Sequence, residues 1–228
     1  MTSFVLVHGG AHGAWCWERV LPLLERDPRV VRALAVDLPG HGTRLTSKPQ
    51  DEIRLSDYVD AVSSDIEQAD LSDIILVGHS LAGITIPHVA ARLPKRVQWV
   101  VYLSTTNPAL GQSVMDELQA SPISPISRGI DLNDAFCSDL DVSSSAWLRS
   151  RLGPEPQGPM EEKMTRIAGP PDIPSTYVLL EHDEVLLPAY QLEHAKRIGA
   201  GEIVRLAAGH SAFASRPEAL AELLLRYA

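Results

Sequence analysis

Ile74-Ile75-Leu76-Val77-Gly78-His79-Ser80-Leu81-Ala82-Gly83 decides how this chain is read. Four consecutive apolar residues, Ile74–Val77, suit a strand buried on both faces. The next five, Gly78-His79-Ser80-Leu81-Ala82, set a serine between two flanking positions with little or no side chain. A sharp turn from strand into helix needs that spacing, because bulky flanks would collide with the neighbouring strand and helix. The turn leaves the serine hydroxyl exposed, with the N–H groups of a helix start beside it to receive an anion. Position 82 is Ala where the commonest form of the pattern has Gly, and Gly83 follows one place later.

Outward from this turn, short apolar runs alternate with helical periodicity, as in parallel strands joined by helical crossovers. Strands are expected at Phe4–Val7, Val30–Val36, Ile74–Val77, Val97–Leu103, Thr176–Leu180 and Ile203–Leu206. Leu55–Ala69 carries an apolar stripe at Leu55, Tyr58, Val59, Val62 and Ile66, which predicts a helix with one buried face. Ala82–Leu93, Ala189–Ile198 and Pro217–Tyr227 also read as helices. Pro87 falls inside the second of these and predicts a kink, while Pro22 predicts where the helix after Trp17 becomes regular. From Asn107 to Pro174 the alternation stops. That stretch is rich in Pro, Ser and Gly, with helical fragments at Ser113–Ala120 and Ser144–Leu152. The expected architecture is therefore α/β, a mainly parallel six-stranded sheet flanked by helices. Its core is 1–106 with 175–228, and 107–174 is a helical lid insertion.

A serine hydroxyl becomes a nucleophile only when a base takes its proton, and that base needs an orienting acid. After Ser80, the strand Thr176–Leu180 runs into Glu181-His182-Asp183-Glu184, and the strand Ile203–Leu206 runs into Ala207-Ala208-Gly209-His210. Both groups lie past the carboxyl ends of strands, where sites form in such sheets. His210 is the candidate base. Asp183 is the first choice of acid, Glu181 the second, and Glu184 competes. Ser104-Thr105-Thr106-Asn107 offers no carboxylate after the strand Val97–Leu103. Charge developing on an attacked carbonyl oxygen needs backbone donors, for which Leu81 and Gly10 are the candidates. His8 and His12 are read as holding the Gly10 loop by hydrogen bonds, and His41 and His79 as structural.

The 228 residues, 45% of them hydrophobic, suffice for one buried core. A formal charge of -9 argues against nucleic acid and against an anionic membrane surface. No apolar run approaches the roughly 20 residues that span a bilayer. Thr2-Ser3 leads straight into Phe4-Val5-Leu6-Val7 without a basic region or a small-residue cleavage site, which predicts a cytoplasmic protein. Cys16 and Cys137 form no disulfide framework, and neither they nor the eight histidines show metal-ligand spacing, so no metal and no cofactor are expected.

Phe4-Val5-Leu6-Val7-His8-Gly9-Gly10-Ala11-His12-Gly13-Ala14-Trp15-Cys16-Trp17 closely resembles the opening of the plant methyl-ester esterase and hydroxynitrile lyase family, within the α/β-hydrolase superfamily. Asp37-Leu38-Pro39-Gly40-His41-Gly42, the turn at Ser80, Asp183-Glu184-Val185-Leu186-Leu187-Pro188 and Phe136-Cys137-Ser138-Asp139 are similar too. The resemblance implies the α/β-hydrolase fold, a catalytic triad of Ser80, Asp183 and His210, and an oxyanion hole of Gly10 and Leu81 N–H groups. It favours Asp183 over its neighbours. Cyanohydrin-cleaving members typically carry Thr at the place of Gly9 and Lys directly after the catalytic histidine, where this chain has Ser211. The expected activity is therefore hydrolysis of small, mainly apolar, including aromatic, esters through an acyl-enzyme. A hydroxynitrile lyase-type or other cofactor-free activity, or a slow-turnover small-molecule receptor, is the alternative. Family habit implies a homodimer.

Overall fold

Successive side chains of a strand point to opposite faces, so a strand that is apolar throughout must be covered on both. The computed structural model describes all 228 residues. It joins β1 (Thr2–Val7), β2 (Val30–Val36), β3 (Ile74–His79), β4 (Val97–Leu103), β5 (Ser175–Leu180) and β6 (Glu202–Leu206) in one sheet, ordered β2-β1-β3-β4-β5-β6. Every neighbouring pair is parallel. Ile74 and Leu76 of β3 enter one hydrophobic cluster and Ile75 and Val77 the other. Val100 and Tyr102 of β4 are divided in the same way from Val101 and Leu103. At roughly 1.5–3 kcal/mol for each fully buried aliphatic or aromatic side chain, these two cores fix which face each helix covers.

The helices are α1 (Leu21–Glu25), α2 (Leu55–Gln68), α3 (Ile86–Arg92), α4 (Val114–Ala120), α5 (Pro125–Arg128), α6 (Leu132–Phe136), α7 (Val142–Arg149), α8 (Gln157–Glu161), α9 (Pro188–Arg197), α10 (Ala212–Ser215) and α11 (Pro217–Leu224). Tyr58, Val59, Val62 and Ile66 of α2 pack with Val89 and Ala90 of α3 on one face of the sheet. Leu24 of α1 and Leu220 and Leu224 of α11 pack on the other. No helix is long and apolar enough to cross a membrane.

The expected kinked helix Ala82–Leu93 is corrected by the structure. Ser80–Ile84 is a 3-10 turn, and α3 begins only at Ile86 with Pro87 in its first turn. Proline there removes no ladder bond, because first-turn N–H groups have no partner within the helix. Pro22 starts α1 as expected. Helix α7 begins at Val142, two residues before the expected fragment, because Asp141 caps it through a 2.7 Å bond from Ser144 N–H to Oδ1.

Residues 107–174 carry α4 to α8 and connect β4 to β5. Since β4 and β5 are parallel neighbours, the chain must return to the opposite end of the sheet. An irregular run after α8 makes the return, with Gly169 N–H donating to Tyr102 Oη at 3.2 Å and Ile173 buried in the core. Helix α7 rests on the turn after β1. The Trp147 ring stands edge-on to Trp15 with centroids 5.3 Å apart, and the Arg19 and Arg151 guanidinium groups lie over Trp147.

Candidate active site

Strand β1 lies between β2 and β3, so the chain reverses its direction of travel across the sheet there. Loops leaving neighbouring strands at such a point diverge and open a crevice. His8-Gly9-Gly10 after β1 and Ser80 after β3 meet at it. Ser80 has φ +53°, a left-handed conformation that a serine adopts only when its surroundings impose it. Thr106 N–H donates to Ser80 O at 3.1 Å and helps hold the turn. Gly78 is required by space, since a Cβ there would lie 2.7 Å from Ile86 Cδ1.

Ser80 Oγ lies 3.0 Å from His210 Nε2, and His210 Nδ1 lies 2.7 Å from Asp183 Oδ2. Both His210 and Asp183 are buried. Asp183 Oδ1 accepts from Val185 N–H and Leu186 N–H, each at 2.8 Å, and Oδ2 also accepts the Ser104 hydroxyl at 2.7 Å. With the Nδ1 proton directed at the carboxylate, Nε2 is left to accept from Ser80, which is the tautomer a base needs. The competing carboxylates face elsewhere. Glu181 meets Arg205 at 3.4 Å and Glu184 meets Arg128 at 3.3 Å, both at the surface. The structure thus brings Ser80, Asp183 and His210 together and leaves Glu181 and Glu184 apart.

Gly10 and Leu81 line the same cavity as Ser80. Two imidazoles hold the loop that carries Gly10. His8 Nδ1–H donates to Gly9 O at 2.8 Å while its Nε2 accepts Leu38 N–H at 3.1 Å. His12 Nδ1–H donates to Gly10 O at 2.6 Å. Burial, with His41 adding to it, pushes His8 down to about 3, and burial pushes His12 down to about 4. Both rings are therefore neutral, and in His8 a donor on one nitrogen and an acceptor on the other require the same. His79 donates from Nε2 to His210 O at 3.0 Å, and burial first, then His210, holds it well below the ordinary histidine range.

The cavity before Ser80 measures about 420 Å³. Val114, Leu118, Leu132, Phe136 and Met160 of the 107–174 segment form much of its wall, with Glu155 and Gln157 among the polar groups. The Phe136 ring stacks on His210, centroids 5.4 Å apart. Asp139 Oδ2 accepts Gly209 N–H at 2.6 Å, and the Ser211 hydroxyl donates to Phe136 O at 2.7 Å, so this segment grips both neighbours of His210. No three His, Cys, Asp or Glu side chains converge to hold a metal ion.

Ser104, Asp139 and Glu155 escape the sequence reading of the site. Ser104 sits in the loop noted for lacking a carboxylate, and a hydroxyl donor to Asp183 has no spacing signature. Glu155 accepts Ala11 N–H from 144 positions away in the chain, which no local pattern reveals.

Residues 4–223 match the model of the alpha/beta hydrolase family. The chain is 37% identical over 114 residues to methylesterase 9 of Arabidopsis thaliana, an alignment covering 47% of this chain and 43% of that protein. It is 28% identical over 250 residues to the putative chloroplastic methylesterase 11 of the same plant, covering 99% and 63% respectively. The chain thus spans less than two thirds of the length of these relatives. An extracellular alpha/beta-hydrolase from a Paenibacillus species superposes with a TM-score of 0.80 at 23% identity, covering 100% of this chain and 99% of that one, a likeness of fold.

Proposed function

The chain belongs to the alpha/beta hydrolase family, and on that premise we propose that it is a serine carboxylester hydrolase acting on small, mainly apolar esters. The observation that carries this reading is the unbroken hydrogen-bonded line from Asp183 through His210 to Ser80, which lines an apolar-walled cavity. Ser80 Oγ attacks the ester carbonyl carbon as its proton passes to His210 Nε2, and Asp183 stabilises the imidazolium that forms. The former carbonyl oxygen takes up the negative charge, and Gly10 and Leu81 N–H groups receive it. When the tetrahedral adduct collapses, the C–O bond to the alcohol breaks and the alkoxide leaves with the proton from His210. Water then loses a proton to Nε2, bonds to the acyl carbon, and releases Ser80 with that proton.

Three further observations favour an ester. The two methylesterase relatives carry that activity in their names. A cavity of about 420 Å³ suits a small ligand. At position 9 a Cβ would lie 2.7 Å from Ser80 Cβ, so the threonine typical of cyanohydrin-cleaving members has no room in this loop. Ser211, where those members place lysine, spends its hydroxyl on Phe136 O and supplies no cation. Residues 107–174 are read as the lid over this cavity, on a core of 1–106 and 175–228.

The test is hydrolysis of p-nitrophenyl acetate, with mass spectrometry of the denatured protein for an acetyl group on Ser80. Ser80→Ala should lower kcat by about 10⁴-fold or more and remove the adduct. Full turnover by Ser80→Ala would falsify the covalent route.

A further inference from the structure

Ala11 is gripped from both sides by one short stretch of the 107–174 segment. Gly153 N–H donates to Ala11 O at 2.9 Å, and Ala11 N–H donates to Glu155 Oε2 at 2.7 Å. Ala11 itself has φ +61°, a left-handed conformation that a residue with a Cβ adopts at a cost and keeps only where the surroundings impose it. Its peptide neighbour is Gly10, the candidate oxyanion donor. A Cβ on Gly10 would meet Glu155 Oε2 at 3.2 Å and Leu81 Cδ2 at 3.3 Å. The carboxylate, Gly10 and Leu81 therefore share one wall of the cavity.

Glu155 is anchored in turn by two distant elements. Tyr58 of α2 donates its hydroxyl to Oε1 at 3.0 Å, and His41 Nε2 lies 2.9 Å from Oε2. The other His41 nitrogen, Nδ1, faces Pro39 O at 3.2 Å. The His41 ring thus bridges the loop after β2 to the carboxylate. A carboxylate next to a developing oxyanion opposes the reaction least where donors engage its oxygens, as Tyr58 does Oε1 and Ala11 N–H does Oε2.

The geometry points to Glu155 as a positioning residue that, held by His41 and Tyr58, clamps Ala11 and thereby fixes the Gly10 N–H for the oxyanion. The inference rests on the reading of Ser80 as nucleophile. It makes the oxyanion hole a joint product of the core loop and residues 153–155, complete only when the two are docked.

The experiment uses Glu155→Gln and Glu155→Ala with p-nitrophenyl acetate, phenylboronic acid as a mimic of the tetrahedral adduct, and hydrogen exchange over residues 8–14. Glu155→Ala should lower kcat about 10- to 100-fold with KM changed less than about threefold, since a displaced donor acts on the transition state. Phenylboronic acid should weaken in proportion to kcat/KM, and residues 8–14 should exchange faster. Glu155→Gln, which keeps an acceptor for Ala11 but replaces one carboxylate oxygen by an amide, should fall between wild type and Glu155→Ala. Unchanged kcat and unchanged exchange in Glu155→Ala, with Ser80→Ala inactive, overturn the clamp and leave the nucleophile standing. An active Ser80→Ala together with faster exchange in Glu155→Ala overturns the nucleophile and leaves the clamp standing as a structural contact. A fall in melting temperature with boronate affinity unchanged also overturns the positioning role.

Discussion

Asp183 is tied by Val185 N–H, Leu186 N–H and the Ser104 hydroxyl before it meets His210 at all. Three donors on a buried carboxylate fix its plane, and through that plane the imidazole. Asp183→Asn would turn an acceptor into a donor facing Nδ1 and select the wrong tautomer, so kcat should fall about 10⁴-fold in steady-state assays. Ser104→Ala removes one bond to a charged, buried group, a change worth about 1.5–3 kcal/mol. It should appear as a lower urea midpoint together with a reduced kcat, whereas Ser104→Cys or Ser104→Thr should recover part of both. Unaltered kcat and midpoint would show that the hydroxyl does nothing for Asp183. At this scale the sequence reveals Ser80 and His210 by their places at strand ends. It ranks Asp183 first among three candidate carboxylates without showing why Glu181 and Glu184 turn away, because that depends on the bonds of Asp183 to the backbone two and three residues on.

At the scale of the element, the loop after β1 is governed by close approach to the loop after β3. An added Cβ at Gly9 would stand 2.7 Å from Ser80 Cβ and 3.2 Å from His79 O. Gly9→Ala must therefore shift one loop against the other. A displacement near 1 Å at reacting groups costs about 100-fold in rate, and overpacking of this kind costs about 1–3 kcal/mol in stability. Kinetics and thermal melting of Gly9→Ala check both, and wild-type values in each would mean that the loops move apart freely. The inner strands are legible in the sequence because runs such as Phe4–Val7, Ile74–Val77, Val100–Leu103 and Tyr177–Leu180 are apolar and buried, whereas the edge strands β2 and β6, with Arg32 and Arg205 exposed, are marked by their β-branched residues. Helices α5, α6, α8 and α10 are not. With four or five residues each, they hold barely more than a turn, too little for a periodic signal. Their ends are set by caps and by contacts from elsewhere in the chain, as Asp131 shows by accepting Asn133 and Asp134 N–H at the start of α6.

For the molecule as a whole, four buried imidazoles, His8, His12, His79 and His194, all sit below the ordinary histidine value, with burial the foremost cause in each. The unfolded chain binds protons on these rings at higher pH than the folded one does. Stability is therefore full above about pH 6.5 and falls as pH drops, for His12 and His194 until about 4 and for His8 until about 3. Each ring contributes up to about 1.4 kcal/mol per pH unit within that window. Urea midpoints measured from pH 8 to pH 5 should be level at first and then decline steeply, and a flat profile down to pH 5 would contradict neutral burial of these rings. The contact of Trp147 with Trp15 has a consequence of another kind. One indole belongs to the segment between β4 and β5 and the other to the turn after β1. They meet edge to face under two guanidinium groups, and Trp147 Nε1–H donates to Glu18 at 2.9 Å. The ultraviolet emission of the native chain thus carries, without any attached dye, an optical record of whether that segment is seated.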